Sequence, residues 1–178
     1  MGLSKVAYHF LGGVIHSADA LCSIFNPTVN SYKRINAPRT TSGATWSPNA
    51  VTYGGNNRTH MVRIPEPGRF ELRLMDGAAN PYLGQAAILA AGLDGIVNKR
   101  DPGKRLDIDM YAEPHKARGA KRLPLNLLDA IRLVDKSKFL RGAMSDAVID
   151  SYVKLKMQEW NSFKSFISQW ELDHTLDC

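Results

Sequence analysis

Between Asp19 and Glu66 the chain carries five Lys or Arg residues and no Asp or Glu. The cations are Lys33, Arg34, Arg39, Arg58 and Arg63. The segment "RFELR" follows, with Arg69 and Arg73 on either side of the Glu71 carboxylate. A guanidinium is planar, keeps its charge at every relevant pH, and grips a carboxylate or phosphate through two parallel hydrogen bonds. Arginines with no acids nearby cannot be neutralised locally and stay available to a polyanionic ligand. One carboxylate among them can help hold a divalent cation that bridges phosphate oxygens. Positioning plus cationic stabilisation of a moving group is what phosphoryl transfer needs. Two plainer readings fit the same residues. An Arg–Glu–Arg strand face can be a solvated ion-pair ladder of little energetic weight, and the acid-free stretch can be a solvated loop.

The elements that must position these side chains follow from periodicity and punctuation. Ser4 predicts the cap of an N-terminal helix with a stripe of Val6, Phe10, Val14 and Leu21. Gly12-Gly13 inside that helix predicts close packing against a neighbour. Residues 26–60 are rich in Asn, Pro, Thr, Ser and Gly and read as a long loop with a short strand near Val51–Tyr53. "HMVRIP" and "RFELRLM" read as strands. Alternation in the second puts Phe70, Leu72 and Leu74 on one face and Arg69, Glu71 and Arg73 on the other, with same-face neighbours about 7 Å apart. Asn80-Pro81 starts a helix whose small and apolar residues run almost all round, which predicts burial. Asp101-Pro102-Gly103 is a turn, and residues 104–124 are polar and irregular. "LNLLDAIRLVDKSKFL" reads as one amphipathic helix. A last helix starts near Ser145, with an apolar stripe of Val148, Tyr152, Leu155, Met157, Trp160, Phe163, Ile167 and Trp170.

A length of 178 residues suits one domain, and 44% hydrophobic with 22% charged residues is an ordinary globular composition. The formal charge of +6 favours anionic partners, but no run of five or more basic residues forms a nucleic-acid-binding tail. Cys22 reads as a buried small apolar residue, and Cys178 is the last residue, so neither a disulfide framework nor a zinc site is indicated. His16 and His60 are isolated and read as packed or hydrogen-bonded residues. No HExxH, CxxC or GxxxxGK[ST] motif is present. No stretch reads as a membrane span or a signal peptide, and the chain reads as cytoplasmic.

"NPTVNSYKR", "NNRTHMVRIP", "RFELR", "AANPYL" and "AAGLDGI" occur in that order. Together they resemble the C-terminal half of the glutamine synthetase catalytic domain, most densely from Asn26 to Ile96. The resemblance implies an α+β fold over residues 1–178, part of an antiparallel sheet with helices packed on it. The family's N-terminal β-grasp domain and the first part of its catalytic domain would lie outside this chain. It implies an ATP-dependent ligase that makes γ-glutamyl phosphate and lets ammonia displace the phosphate, with ATP and Mg²⁺ or Mn²⁺ as cofactors. By position, Arg34, Arg58 and Arg73 would bind substrate, and Arg58, Arg63 and Arg69 would meet the nucleotide. Arg58 and Arg73 would be catalytic, and Glu71 would be a metal ligand. A homo-oligomeric ring is implied for the full protein, with neither nucleic acid nor membrane as partner.

Two departures qualify what the resemblance implies. Typical members carry a glutamate shortly after "NSYKR", whereas "INAPRTTSGATWSPNAVTYGG" has no acid. That loop resembles the type III-like branch that includes γ-glutamylmethylamide synthetases, so the amine can be ammonia or methylamine. The chain also reads as a C-terminal piece, inactive alone, with an exposed apolar face where the missing half would pack. A non-catalytic assembly or regulatory module is the alternative from another class, and a nucleic-acid binder stands third. Tyr111 falls where some bacterial relatives carry an adenylylated tyrosine; an exposed loop tyrosine is the plainer expectation.

Overall fold

Ser4 caps α1 (Lys5–Phe25) by accepting the Ala7 amide, which satisfies one donor left over in the first turn. The structure is a computed structural model that describes residues 2–37 and 47–175. Arg39 therefore lies outside the described residues, as does Cys178. Val14 and Leu21 of the expected α1 stripe are in the core with Leu11, Ala18 and Phe25. Phe10 packs at the core's margin, and Val6 is exposed, one turn before the first close contact with the neighbouring helix. Cys22 is buried as expected, and burial pushes its thiol up to about 12, so it stays neutral.

The neighbour of α1 is α3 (Pro81–Val97), opened by Asn80, whose side chain accepts the Tyr82 and Leu83 amides. A Cβ on Gly13 would lie 1.9 Å from the Ala91 carbonyl oxygen, and one on Gly95 would lie 2.2 Å from the His9 oxygen. The two backbones thus approach as closely as only glycine allows. The buried residues of α3 are all small: Gly84, Ala87, Ala91, Gly92 and Gly95. Burial all round is not what the structure shows. Tyr82, Leu89, Leu93 and Val97 recur at helical spacing and are all exposed, Val97 to 77%. The helix is apolar on both sides because its inner face packs on α1 and its outer face is an exposed apolar surface.

The long loop expected over residues 26–60 is interrupted by a helix. α2 (Val29–Ile35) begins with a capping box in which the Thr28 side chain accepts the Ser31 amide and the Ser31 side chain accepts the Thr28 amide. β1 is Tyr53–Gly54, slightly later than expected, and Ala50 makes an isolated bridge to Arg122. β2 (Val62–Glu66) pairs in parallel with β1 and antiparallel with β3 (Arg69–Leu72). The α+β class holds, with one parallel pair beside the antiparallel hairpin.

The amphipathic run after residue 124 is two helices rather than one. α4 (Leu127–Asp135) ends at Lys136, and Ser137 caps α5 (Lys138–Met144) by accepting the Leu140 amide. A serine that can cap a new helix competes with continuing the old one. The last expected helix is likewise divided into α6 (Asp146–Lys164) and α7 (Gln169–Thr175). Its stripe is mostly at the surface: Ile149 is the buried residue of α6, and Leu155, Phe163, Ile167 and Trp170 are exposed. Residues 104–124 are irregular as expected, apart from a 3-10 turn at Pro114–Ala117. No helix among the described residues is long and apolar enough to cross a membrane.

The two faces of α3 differ in a way that denaturant titration can read. Gly13→Ala should destabilise the chain by about 2 kcal/mol or more, because backbone rather than a flexible side chain blocks the new methyl. Leu93→Ser on the outer face should stay within about 0.5 kcal/mol. Equal losses at both positions would mean that the α1–α3 contact does not have this geometry.

Candidate functional site

The site starts from strand register. Arg63 on β2 stands opposite Glu71 on β3. Arg63 Nη1 donates to Glu71 Oε2 at 2.9 Å, and Arg73 Nε lies 3.3 Å from Glu71 Oε1. One carboxylate thus sits between two guanidiniums, each only 17% exposed at the side chain. Arg63 is fixed further by Nε and Nη2, which both donate to Asn56 Oδ1 at 2.9 and 2.5 Å.

Arg58 sits on the turn between β1 and β2 and is exposed. Burial lowers the pKa of Arg73, Glu71 opposes that shift, and the like charges of Arg58 and Arg63 add to it. The three arginines therefore sense one another around a single carboxylate. Taking Arg73 out of water disfavours its charge, and an arriving anion restores the lost stabilisation.

Arg34, in the last turn of α2, is anchored beside this group. Its Nη2 donates to Asn26 Oδ1 and to the Leu74 carbonyl oxygen, both at 2.7 Å. Leu74 directly follows Arg73, so the bond ties α2 to the end of the hairpin. Arg69 behaves differently from the alternation argument. It pairs with Glu66 at 2.7 Å across the hairpin turn, well exposed, and not with Glu71. The register shift between Arg63 and Glu66 and the positive φ of Gly68 make that turn local and self-contained. The structure therefore gathers Arg58, Arg63, Glu71 and Arg73, docks Arg34 next to them, and leaves Arg69 at the hairpin tip.

Glu71 offers oxygens that suit a hard divalent cation. No group of three or more His, Cys, Asp or Glu that could hold a metal occurs among the described residues. Its fit to Mg²⁺ is that of a single ligand: such an ion is often held by one or two carboxylates together with substrate phosphates. Two cavities of about 610 and 670 Å³ are lined by other residues, chiefly from α1 and the 99–121 segment. The arginine group lines neither of them.

Sequence reasoning missed four polar residues that shape this group. Asn56 orients Arg63, and Asn26 orients Arg34. Asn57 and Thr59 shape the Arg58 turn: the Thr59 amide and hydroxyl both donate to Asn57 Oδ1. The signal available was adjacency, since each asparagine stands within the same quoted motif as its arginine. Tyr111 also belongs here. It is half-buried and its hydroxyl donates to the Ser47 carbonyl oxygen at 2.8 Å, so the expectation of an exposed loop tyrosine does not hold.

His60 follows the Arg58 turn and is fully buried, with Nδ1 3.0 Å from Thr52 Oγ1 and its ring against Gly54. It is packed, as the sequence suggests. Burial lowers its pKa, against the opposing pull of the Ile108 backbone, Asp107 and Asp109. The folded chain thus binds this proton less readily than the unfolded chain. The resulting stability is present above the unfolded pKa of about 6.5 and is lost as pH falls through the lowered folded value. Urea titrations should show stability falling below that pH by at most about 1.4 kcal/mol per unit from this group. His60→Asn should flatten that part of the slope; an unchanged slope would assign it elsewhere.

The family model described as "Glutamine synthetase, catalytic domain" matches residues 1–175. The chain is 63% identical over 176 residues to a glutamine synthetase of Rhizobium leguminosarum bv. phaseoli, covering 99% of this chain and 40% of that protein. It is 42% identical over 180 residues to a glutamate–methylamine ligase of Methyloversatilis universalis, again covering 99% of this chain and 40% of the relative. A solved structure described as a GmaS/ADP complex superposes with a TM-score of 0.92 at 62% identity, over 99% of this chain and 41% of that one. The chain spans about 40% of the length of the relatives it matches. By family match and identity, the chain belongs to the glutamine synthetase family and corresponds to part of its catalytic domain.

Proposed function

We propose that this chain supplies the arginine-bearing face of an ATP-dependent glutamate–ammonia ligase that works through γ-glutamyl phosphate. The observation that carries this reading is the grouping of Arg58, Arg63 and Arg73 around Glu71. Both substrates are anionic, and the group that moves between them is a phosphoryl group. In the first step a γ-carboxylate oxygen of glutamate attacks the terminal phosphorus of ATP, and ADP leaves. In the second the amine nitrogen attacks the acyl carbon, phosphate departs with the bridging oxygen, and the amine loses a proton.

Each residue has a role in this account. Arg34 and Arg73 hold glutamate, and Arg73 also stabilises the phosphoryl group as charge spreads over its oxygens. Arg58 faces substrate and nucleotide phosphate together. Arg63, held by Asn56 and Glu71, serves the nucleotide phosphates. Arg69 lies towards the nucleotide from the hairpin tip. Glu71 bridges Arg63 and Arg73, and would offer one carboxylate to a divalent cation, Mg²⁺ or Mn²⁺, that would screen the phosphate charge when bound. Since Glu71 is a single ligand, the reading places catalysis in the assembled protein, as a cytoplasmic homo-oligomer, and not in this chain alone.

Methylamine in place of ammonia is the second reading. It is supported by the 42% identity to a glutamate–methylamine ligase and by the acid-free connection after α2. Phosphate release by the assembled ligase with glutamate, ATP, Mg²⁺ and either amine tests both. Arg73→Lys should lower kcat about 100-fold or more, because a lysine cannot reproduce the two-pronged contact. Stronger release with methylamine than with ammonium would favour the second reading. Unchanged turnover in Arg73→Lys would remove this residue from the chemistry.

A further inference from the structure

The segment 108–111 touches the arginine site at three points. Asn57 Nδ2 donates to the Ile108 carbonyl oxygen at 2.9 Å. The Met110 amide donates to Thr59 Oγ1 at 3.0 Å. Tyr111 Oη donates to the Ser47 carbonyl oxygen at 2.8 Å. Asn57 and Thr59 flank Arg58, so two of these bonds grip the Arg58 turn from both sides. The third grips Ser47, where the acid-free connection rejoins the described chain. Asp109 shapes the strap itself, since its Oδ1 accepts the Tyr111 and Ala112 amides at 2.8 and 3.1 Å.

We propose that Tyr111 is a positioning residue: through its hydroxyl, and with Ile108 and Met110, it clasps the Arg58 turn and the Ser47 end of the connection into one unit beside Arg73. The charges of Arg73 and Arg34 are felt at the Tyr111 hydroxyl, which places the ring at the edge of the arginine group. Arg63 and Arg69 are held independently of the clasp, by Asn56 with Glu71 and by Glu66. The clasp therefore acts on Arg58, through the residues on either side of it, and leaves Arg63 and Arg69 to their own partners. Its kinetic consequence rests on the ligase reading given above; its structural consequence does not.

Two measurements on Tyr111→Phe, which keeps the ring and removes the donor, separate these. Hydrogen exchange on the chain should quicken about five-fold over residues 47–60, the size expected for one lost hydrogen bond, with the α1 amides unchanged. In the assembled ligase, kcat should fall about five-fold and the KM values for glutamate and ATP should both rise, because Arg58 serves both substrates. Thr59→Val, which removes the acceptor for the Met110 amide at nearly constant volume, should show the same changes. Unchanged exchange over 47–60 would overturn the clasp. Exchange quickened in α1 as well as over 47–60 in either variant, with a lowered melting temperature, would reduce it to ordinary structural support. A wild-type protein that releases no phosphate would defeat the ligase reading, and the exchange result alone would then decide the clasp.

Discussion

One carboxylate holds the arginine face together. Glu71 sits between Arg63 and Arg73, with one oxygen turned to each, and without it like charges on adjacent strands would repel across the hairpin. The arrangement follows from register: Arg63 and Glu71 are direct cross-strand partners, and Arg73 lies two residues further along the same strand direction. The same carboxylate neutralises only part of the charge around it. What remains is a cationic face with partly dehydrated guanidiniums, which a solvent-exposed surface ladder would not produce. The ion-pair ladder considered from the sequence is thus present in geometry, yet Arg63 and Arg73 are mostly shielded from water. Weak surface pairing does not describe them.

The scaffold beneath that face is built from close backbone contacts more than from large side chains. Gly13 and Gly95 let α1 and α3 meet at backbone distance, and α3 in turn carries small residues inward and large ones outward. Arg34 then links the end of α1, through Asn26, to Leu74 beyond the hairpin. Helix packing and site geometry are connected through that one side chain. A residue assigned to substrate by resemblance is therefore also a structural tie, and both roles can coexist because the tie uses Nη2.

Much of this was legible in the sequence because it depended on local chemistry. Alternation in "RFELR", the Asn80-Pro81 start, the Ser4 cap and the glycine pair in α1 each reflect short-range rules, and each corresponds to an observed feature. The failures share a cause as well. α2 was hidden because its cap uses Thr28 with Ser31, where a Glu or Gln would have been conspicuous, and its flanks are rich in loop-forming residues. α3 looked buried because an apolar outer face reads the same whether or not a partner covers it. Arg69 pairs with Glu66 across the tight turn and not with Glu71, a tertiary choice that alternation cannot register. Tyr111 and Ser47 are distant in sequence, and nothing in either local motif announces their contact.

The central claim is that these arginines serve a phosphoryl group passing from ATP to a glutamate carboxylate. The most direct test follows one oxygen atom. The assembled ligase would be supplied with glutamate labelled with ¹⁸O in its γ-carboxylate, together with ATP, Mg²⁺ and the amine, and the released phosphate analysed by mass. The account predicts that each product molecule delivers one labelled oxygen to phosphate. Amide formed with unlabelled phosphate would contradict it, because the carboxylate would then have been activated without ever bonding to phosphorus.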